Sequence, residues 1–381
     1  MNIRTDIHER TPLRMVFISS IMTPQQAKLC AALNDGLMEA HFWFYEDPER
    51  TRGSFWRVDP TSNCHVVPGG WILRGRYINL RMLRRLREVD PDVVMLGGFS
   101  IPGNYLAYLW ARCRGKRTVV FTERSRTASG VLRRRGLAWR VLHWMYRKVD
   151  MVIVSADDAV PQFRDEFRFG SKVVAGRYAS DIDNYLSHSI RRPNNLCLIF
   201  PNRLTEIYDP LLAIQIFAEF RRRNEFGRLL MNAKGELRSN CEAKVAELGL
   251  SDHVTFLDDI RAWEDLGEVY ERSDVMILPA KFSNGNFTIL EAMASGMGIV
   301  ISDKILGVGN LIVDGENGFR CAPNTQEFVK RLEAYIADPT LFEMHANLNR
   351  DIVKPLGVRG TAEFFNGVLA REFAQEIRRF P

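Results

Sequence analysis

A polar loop that runs into an apolar helix carries the residues best suited to chemistry in this 381-residue sequence. The segment KFSNGNFTILEAMASGMGIVISD spans residues 281–303. Gly285, between Asn284 and Asn286, would let the backbone approach a ligand, and the free N–H groups of the following helix would stabilise an anion such as a diphosphate. Glu291, about one and a half turns into the helix, would accept two hydrogen bonds from a ribose diol. The segment indicates a nucleotide site, with a capped helix packed on a sheet as the alternative.

Two loops in the first half of the chain carry further polar candidates. Glu123, Arg124 and Arg126 follow the apolar run RTVVFT, and Ser100 lies in the loop GGFSIP after another such run. Because ligands of open α/β sheets bind at the carboxyl ends of the strands, we expect these residues to face a ligand cleft. The alternatives are a surface ion pair at Glu123 and a simple strand-to-helix turn at Ser100.

The elements that must position these residues alternate between short apolar strands and longer helical patterns. The β-rich runs in the first half cover residues 14–21, 40–47, 92–99, 117–123 and 149–156, with helices at 76–89 and 103–114. The pattern restarts after residue 195, with runs at 196–202, 228–233, 253–259, 274–280 and 298–303. This alternation predicts an α/β fold of two Rossmann-like domains with parallel sheets, facing each other across a cleft.

The predicted boundaries follow the restart of the pattern. We assign residues 1–188 to a first domain, 189–359 to a second domain and 360–381 to a C-terminal helix that packs back across the junction, with a linker near 186–195. Charge divides the chain in the same way, since residues 1–185 hold 29 basic against 19 acidic residues and the remainder 23 against 27. The basic half favours an acidic partner, such as nucleic acid, an anionic membrane or a phosphorylated substrate.

Composition narrows the class of protein. The apolar runs are shorter than a bilayer span, and the first thirty residues carry charges where a signal peptide needs an apolar core, which predicts a cytoplasmic protein. The six cysteines show no C-x-x-C spacing and no histidine at ligand distance, so we expect neither a metal site nor disulfides. The basic half lacks a recognised DNA- or RNA-binding module, and nucleic acid is therefore not an expected partner.

At two places the residues carry a family resemblance. The segment PAKFSNGNFTILEAMASGMGIVIS, followed by GVGNLIVDGENGF at 307–319, resembles the donor-binding signature of the retaining GT-B glycosyltransferases of family GT4. A weaker similarity extends over the chain, as in FPNRLTEIYDPLLAIQIFAEF at 200–220, and includes bacterial members that build cell-surface polysaccharides. The resemblance implies a GT-B fold and transfer of a sugar, with retention of configuration, from a nucleotide-sugar to a hydroxyl of a glycan or lipid-linked acceptor. It also implies a UDP- or GDP-sugar as donor, no metal and no other cofactor.

The resemblance assigns roles residue by residue. Glu291 matches the second glutamate of the family's Glu-x7-Glu motif, which contacts the donor ribose, whereas Ser283 stands where the first, sugar-contacting glutamate is expected. Arg203 matches the arginine that binds the diphosphate, but Tyr208 replaces the lysine five positions further on. We therefore predict Arg203, Glu291 and Ser283 as the catalytic residues. The donor site around them departs from the family pattern at Ser283 and Tyr208.

The remaining donor-binding candidates surround these positions. Lys234 or Lys281 would supply the missing positive charge from another loop, and the step into a helix at 307–310 would add N–H groups to the diphosphate site. The full predicted donor set is Asn284, Gly285, Asn286, Phe287, Thr288, Tyr208, Lys234, Lys281 and Asn310. In the context of the resemblance, Glu123, Arg124, Arg126 and Ser100 in the first half are the predicted contacts to the acceptor or to the sugar.

Three readings of these departures stay open. We favour altered sugar specificity over lost activity, because Ser283, Asn284 and Asn286 still offer hydroxyl and amide groups. A non-catalytic GT-B protein that binds nucleotide, or a partner in a polysaccharide assembly complex, is the alternative. A sugar-nucleotide epimerase is more remote, since it would need cleft carboxylates and histidines that the sequence lacks.

The segment at 121–150 bears on the location of the protein. It interleaves basic residues with Trp139 and Trp144, the composition of an amphipathic helix that lies on an anionic membrane. The alternative is a solvated charge run with its aromatic residues in the core. We predict peripheral contact with the inner face of the cell membrane through this segment.

Overall fold

The computed structural model describes residues 12–36, 38–47, 58–73, 76–124, 141, 144–190, 195–260, 265–283 and 287–374. Within these ranges the chain forms two parallel β-sheets with helices packed against them. Each apolar run predicted as a strand contains one, and the predicted fold class is confirmed. Arg126, Asn284, Gly285, Asn286 and most of the segment at 121–150 lie outside the described residues.

The first sheet has seven strands, all paired in parallel, in the order β3-β2-β1-β6-β7-β8-β9. The strands are β1 (Leu13–Ile21), β2 (Met38–Glu46), β3 (Cys64–Val66), β6 (Val93–Gly97), β7 (Arg117–Thr122), β8 (Met151–Val154) and β9 (Val173–Ala175). Among the described residues, the longer α-helices between them are α1 (Pro24–Asn34), α2 (Arg81–Val89) and α3 (Pro102–Cys113).

A small hairpin corrects the prediction of one long helix over 76–89. Strand β4 (Trp71–Leu73) pairs antiparallel with β5 (Arg76–Ile78), and α2 begins only at Arg81. The side chain of Asn79 explains the start, because its Oδ1 accepts the Arg81 N–H at 3.0 Å while its Nδ2 donates to Val67 O at 2.8 Å. Leu80 is the N-cap residue and has no side-chain capping bond, so the Asn79 contact satisfies one of the free N–H groups at the helix start.

The second sheet has six parallel strands in the order β12-β11-β10-β13-β14-β15. They are β10 (Cys197–Phe200), β11 (Arg228–Asn232), β12 (Val254–Leu257), β13 (Val275–Leu278), β14 (Gly298–Ser302) and β15 (Phe319–Cys321). The helices from here to residue 353 are α4 (Asp183–Leu186), which precedes β10, then α5 (Pro210–Asn224), α6 (Arg238–Glu247), α7 (Asp265–Glu271), α8 (Phe287–Ser295), α9 (Thr325–Ala337) and α10 (Pro339–Val353). In this order, the loops after β10, β11, β13 and β14 meet at the carboxyl edge, where a ligand would bind.

The last described α-helix, α11 (Val358–Leu369), returns to the first sheet. It packs against α1, and its Phe365 and Leu369 join the buried cluster formed by β1, β2 and α1. The predicted domain boundaries stay predictions; in the structure the first sheet ends with β9 and the second begins with β10. Helix α11 thus follows the second sheet in sequence and completes the core of the first.

Candidate functional site

The loops after β10 and β11 are joined by three hydrogen bonds. Leu204 N–H donates to Lys234 O at 2.8 Å, Leu237 N–H donates to Leu204 O at 2.9 Å, and Asn232 Nδ2 donates to Pro201 O at 2.8 Å. Within the second loop, Lys234 N–H donates to Asn232 Oδ1 at 2.7 Å. Gly235 makes the contact feasible, because a Cβ at this position would lie 2.3 Å from Leu204 O. The two loops therefore hold a fixed geometry at the carboxyl edge of the second sheet.

This contact brings Arg203 and Lys234 to the same edge. Both residues are exposed, and among the described residues neither side chain has an ion-pair partner. Lys281 differs, since its Nζ lies 3.6 Å from Glu206 Oε1 and 3.7 Å from Asp209 Oδ2. Those two carboxylates offset the charge of Lys281, so Lys234 is the better placed of the two lysines to add positive charge beside Arg203.

Helix α8 begins next to the Arg203 loop. Thr288, in its first turn, donates through Oγ1 to Asn202 Oδ1 at 3.0 Å, which connects the helix start to the residue before Arg203. Phe287, the first residue of α8, contacts the ring of Tyr178 from the first half, with ring centroids 5.2 Å apart. The amino terminus of α8 and two cations thus belong to one hydrogen-bonded unit, an arrangement that attracts anions.

Glu291 lies on the inner face of α8. Its side chain is 1 % exposed, and Tyr270 donates its hydroxyl to Glu291 Oε2 at 3.0 Å. Burial raises the pKa of Glu291 to about 7, and the nearby Asp181 carboxylate adds to the rise, although the Tyr270 hydrogen bond opposes it. Asp181 is itself buried and pairs with Lys28 of α1. The glutamate is therefore poised to lose or gain a proton near neutral pH.

Ser283 and Asn310 lie on segments that face each other. Ser283 O accepts the Leu306 N–H at 2.8 Å, and the two chains form an isolated bridge at Ser283 and Ile305. Asn310 is exposed in the short 3₁₀ helix at Gly307–Leu311. Tyr208 is half-buried and packs against the core of the second sheet.

Asp158, which the sequence analysis missed, connects the two halves. Gly307 N–H donates to Asp158 Oδ2 at 3.1 Å, and Arg124 Nη1 donates to Asp158 O at 3.0 Å. Asp158 lies after β8, so its position at a strand's carboxyl end was the available signal. Its carboxylate therefore accepts a hydrogen bond from one N–H group of the segment 307–310, which we expected to bind the diphosphate.

The acceptor-side candidates surround a cavity of about 580 Å³ at the carboxyl edge of the first sheet. Ser100, Glu123 and Arg124 line it, together with Phe287 of α8. Tyr178 donates its hydroxyl to Glu123, and burial together with that carboxylate raises the pKa of Tyr178 well above its usual value. The structure thus places three predicted acceptor contacts beside the start of the donor helix.

Two absences hold for the described residues. No helix among them is long and apolar enough to cross a bilayer. No group of three or more histidine, cysteine, aspartate or glutamate side chains in this part of the chain is arranged to hold a metal ion.

Comparisons with known proteins agree with this architecture. A profile described as "Glycosyl transferases group 1" matches residues 182–353, and one described as "Glycosyl transferase 4-like domain" matches residues 22–175, so that together they span most of the chain. The crystal structure of Anabaena Alr3699/HepE in complex with UDP superposes with a TM-score of 0.71, at 14 % identity over 94 % of this chain and all of that one, which shows a shared fold.

Two curated relatives match parts of the sequence. An uncharacterised glycosyltransferase from Haemophilus influenzae is 31 % identical over 136 residues, which is 35 % of this chain and 38 % of the relative. The lipopolysaccharide core biosynthesis mannosyltransferase LpcC from Rhizobium leguminosarum is 38 % identical over 108 residues, 27 % of this chain and 29 % of the relative. In each case the alignment spans less than half of the relative.

The two sheets and the site at their carboxyl edges define a protein of the GT-B glycosyltransferase class. The chain belongs to the glycosyl transferases group 1 family, whose profile matches the second half, and the glycosyl transferase 4-like profile matches the first half.

Proposed function

We propose that the protein transfers a sugar from a nucleotide-sugar to a hydroxyl of a glycan or lipid-linked acceptor, with retention of anomeric configuration. The observation that carries the proposal is the unit formed by Arg203, Lys234 and the start of α8. Two cations without ion-pair partners among the described residues, held beside a helix amino terminus, form a site for a diphosphate.

The same unit supports the chemical step. The acceptor oxygen bonds to the anomeric carbon while the bond from that carbon to the diphosphate breaks, and the hydroxyl proton passes to an oxygen of the leaving diphosphate. Negative charge grows on the leaving group, and prearranged cations and N–H dipoles stabilise that charge without reorganising. Arg203 and Lys234 would supply the cations, and Glu291 would hold the ribose that orients the donor.

For the donor we propose a UDP- or GDP-sugar, and for the acceptor a glycan of the cell envelope. HepE was solved with UDP, and LpcC is named as a mannosyltransferase of lipopolysaccharide core synthesis. We infer no metal requirement, because the charge that a divalent ion would supply to the diphosphate is available from Arg203, Lys234 and helix α8.

We further propose that the protein works in the cytoplasm in peripheral contact with an anionic membrane. Trp144 is 66 % exposed, and the neighbouring Arg147 and Lys148 are exposed as well. Helix α3 connects this segment to the hairpin that carries the equally exposed Trp71, since α3 packs against β5 and its Tyr108 contacts Tyr146 at 5.0 Å. Exposed tryptophans among basic residues are typical of surfaces that lie on anionic lipid.

A donor screen tests the proposal. The purified protein is incubated with UDP-, GDP- and ADP-sugars and a membrane lipid extract, while thermal stabilisation and nucleoside diphosphate release are both measured. We expect one donor to stabilise the protein and to be consumed, and NMR of the product to show the donor's anomeric configuration. Stabilisation without release would favour the non-catalytic nucleotide-binding protein, and an inverted product would refute retention.

A further inference from the structure

The cavity at the edge of the first sheet is lined mainly by apolar side chains, more than a sugar ring would need. Its floor is formed by Phe17 of β1, Phe42 of β2, Leu29 of α1 and Phe365 of α11, all of them buried. Its mouth is polar and lies beside Glu123 and Phe287. A sugar ring would lose hydrogen bonds to water on that floor, whereas an apolar group would gain from leaving water.

One polar side chain is buried in this apolar cavity. Gln25, the second residue of α1, lines the cavity and is only 2 % exposed. Both its Nε2 and its Oε1 are buried, and neither has a hydrogen-bond partner among the described residues. Buried side-chain amides are almost always hydrogen-bonded, so the amide of Gln25 calls for a partner that the described residues do not supply.

The start of α1 fixes Gln25 in this place. Thr23 Oγ1 accepts the Gln26 N–H at 3.2 Å, and Pro24 occupies the first helical position. The cap and the proline fix the helical backbone from which the Gln25 side chain extends to the cavity.

We propose that this cavity binds the non-sugar part of the acceptor, and that this part is an apolar chain carrying an amide or a hydroxyl group that pairs with Gln25. An amide side chain both donates and accepts, so its partner should offer a donor and an acceptor together, as amides and hydroxyls do. The inference rests on the proposed function, because it assumes that the accepting sugar lies at the mouth of the cavity beside the donor site.

Chain length tests the apolar part of the proposal. Methyl and octyl β-D-glucopyranoside, below micellar concentration, are titrated into the full-length protein with and without UDP, and binding is measured by calorimetry. We expect the octyl glycoside to bind at least 10-fold more tightly than the methyl glycoside. Equal affinity for the two compounds would overturn the proposal.

The proposed hydrogen bond between Gln25 and the ligand is tested with a second pair of compounds and with a variant. N-octanoyl-D-glucosamine, which carries an amide on its chain, should bind about 10-fold more tightly than octyl β-D-glucopyranoside to the wild type. In Gln25→Leu this preference should vanish while the melting temperature stays equal or rises, because an unpartnered buried amide is replaced by an apolar group of similar size. A preference that survives in Gln25→Leu would overturn the role of Gln25.

Two controls separate this effect from folding. Gln162→Leu changes another buried glutamine, one that is not among the described residues lining the cavity, and should leave the amide preference intact. Leu29→Phe adds volume to the cavity floor and should abolish the octyl preference in a protein that still binds UDP. If Leu29→Phe binds octyl and methyl glycosides as the wild type does, the cavity is not the binding site.

UDP stabilisation is scored separately in every variant. A wild-type protein that no nucleoside diphosphate stabilises would refute the proposed function. The chain-length dependence measured without UDP would still decide whether the cavity takes an apolar group.

Discussion

At the scale of single residues, two lysines should contribute differently to catalysis, because their surroundings differ. Lys234 lies beside Arg203 without an ion-pair partner among the described residues, whereas Lys281 lies near two carboxylates. We expect Lys234→Met to lower kcat/KM for the donor by about 10- to 100-fold, since it removes charge stabilisation from the leaving group. Lys281→Met, the matched control, should change it less than about threefold. Nucleoside diphosphate release measures both, and the reverse order would refute our assignment of the second cation.

The stability of the protein should depend on pH through Glu291. Its pKa of about 7 in the folded protein lies above the value of about 4.3 for an unfolded chain. The folded state therefore holds a proton that the unfolded state releases, and the resulting stabilisation is fully present below pH 4.3 and lost as pH rises through 7. The loss is on the order of 3 kcal/mol in free energy of unfolding.

A glutamine variant isolates this contribution. Glu291→Gln cannot ionise, so denaturant unfolding from pH 5 to pH 8.5 should show a smaller decline than in the wild type. Glu268→Gln, on the exposed side of α7, serves as the control and should follow the wild type. Identical pH profiles for Glu291→Gln and the wild type would show that Glu291 is ionised in the folded protein throughout this range.

The same proton bears on ribose binding. Only the ionised carboxylate is a double acceptor for a diol, so the affinity for UDP should rise between pH 6 and pH 8. UDP titrates near pH 6 on its own account, and Glu291→Gln corrects for that effect. Calorimetry measures the affinity at each pH. If the affinity of Glu291→Gln for UDP rises by the same amount, the ribose does not bind to Glu291.

At the scale of elements, Gly235 sets the contact between two loops. Its φ of +146° and its closeness to Leu204 exclude a side chain. Gly235→Ala should lower the free energy of unfolding by roughly 1–3 kcal/mol and weaken UDP binding by displacing Lys234. Gly249→Ala is the control, because φ there is +66° but the space around it is open. Calorimetry should find UDP affinity unchanged in the control, and equal UDP affinity in both variants would mean that the loop contact does not position the diphosphate site.

The elements also show what a sequence can predict. Strands such as β6 and β13 are buried runs of branched apolar residues, and such runs are recognisable without any partner. Strands of three residues, such as β3 and β15, carry no periodicity, and β4 and β5 exist only through their pairing. The contact between Tyr270 and Glu291 joins two helices and depends on packing, so it could not be inferred from spacing. Ser283 and Arg203 could be predicted as site residues because each lies in a recognisable motif.

At the scale of the whole molecule, the exposed tryptophans predict membrane binding. We expect the protein to sediment with vesicles of 30 % phosphatidylglycerol in phosphatidylcholine and the double variant Trp71→Ala/Trp144→Ala to bind about 10-fold more weakly. Leu248→Ala, which removes an exposed apolar side chain of the second half, is the control. If the double variant binds as well as the wild type, or if the wild type binds equally to vesicles of phosphatidylcholine alone, this surface is not the contact with an anionic membrane.

Helix α11 has a consequence for the order of events during synthesis. Phe365 and Leu369 complete the core beneath β1, β2 and α1, yet they leave the ribosome only after every strand of the second sheet. The second half has all of its strands available while the first still lacks part of its hydrophobic interior. A nascent chain should therefore acquire protease resistance in its later half before its earlier half, the reverse of the usual order of vectorial folding.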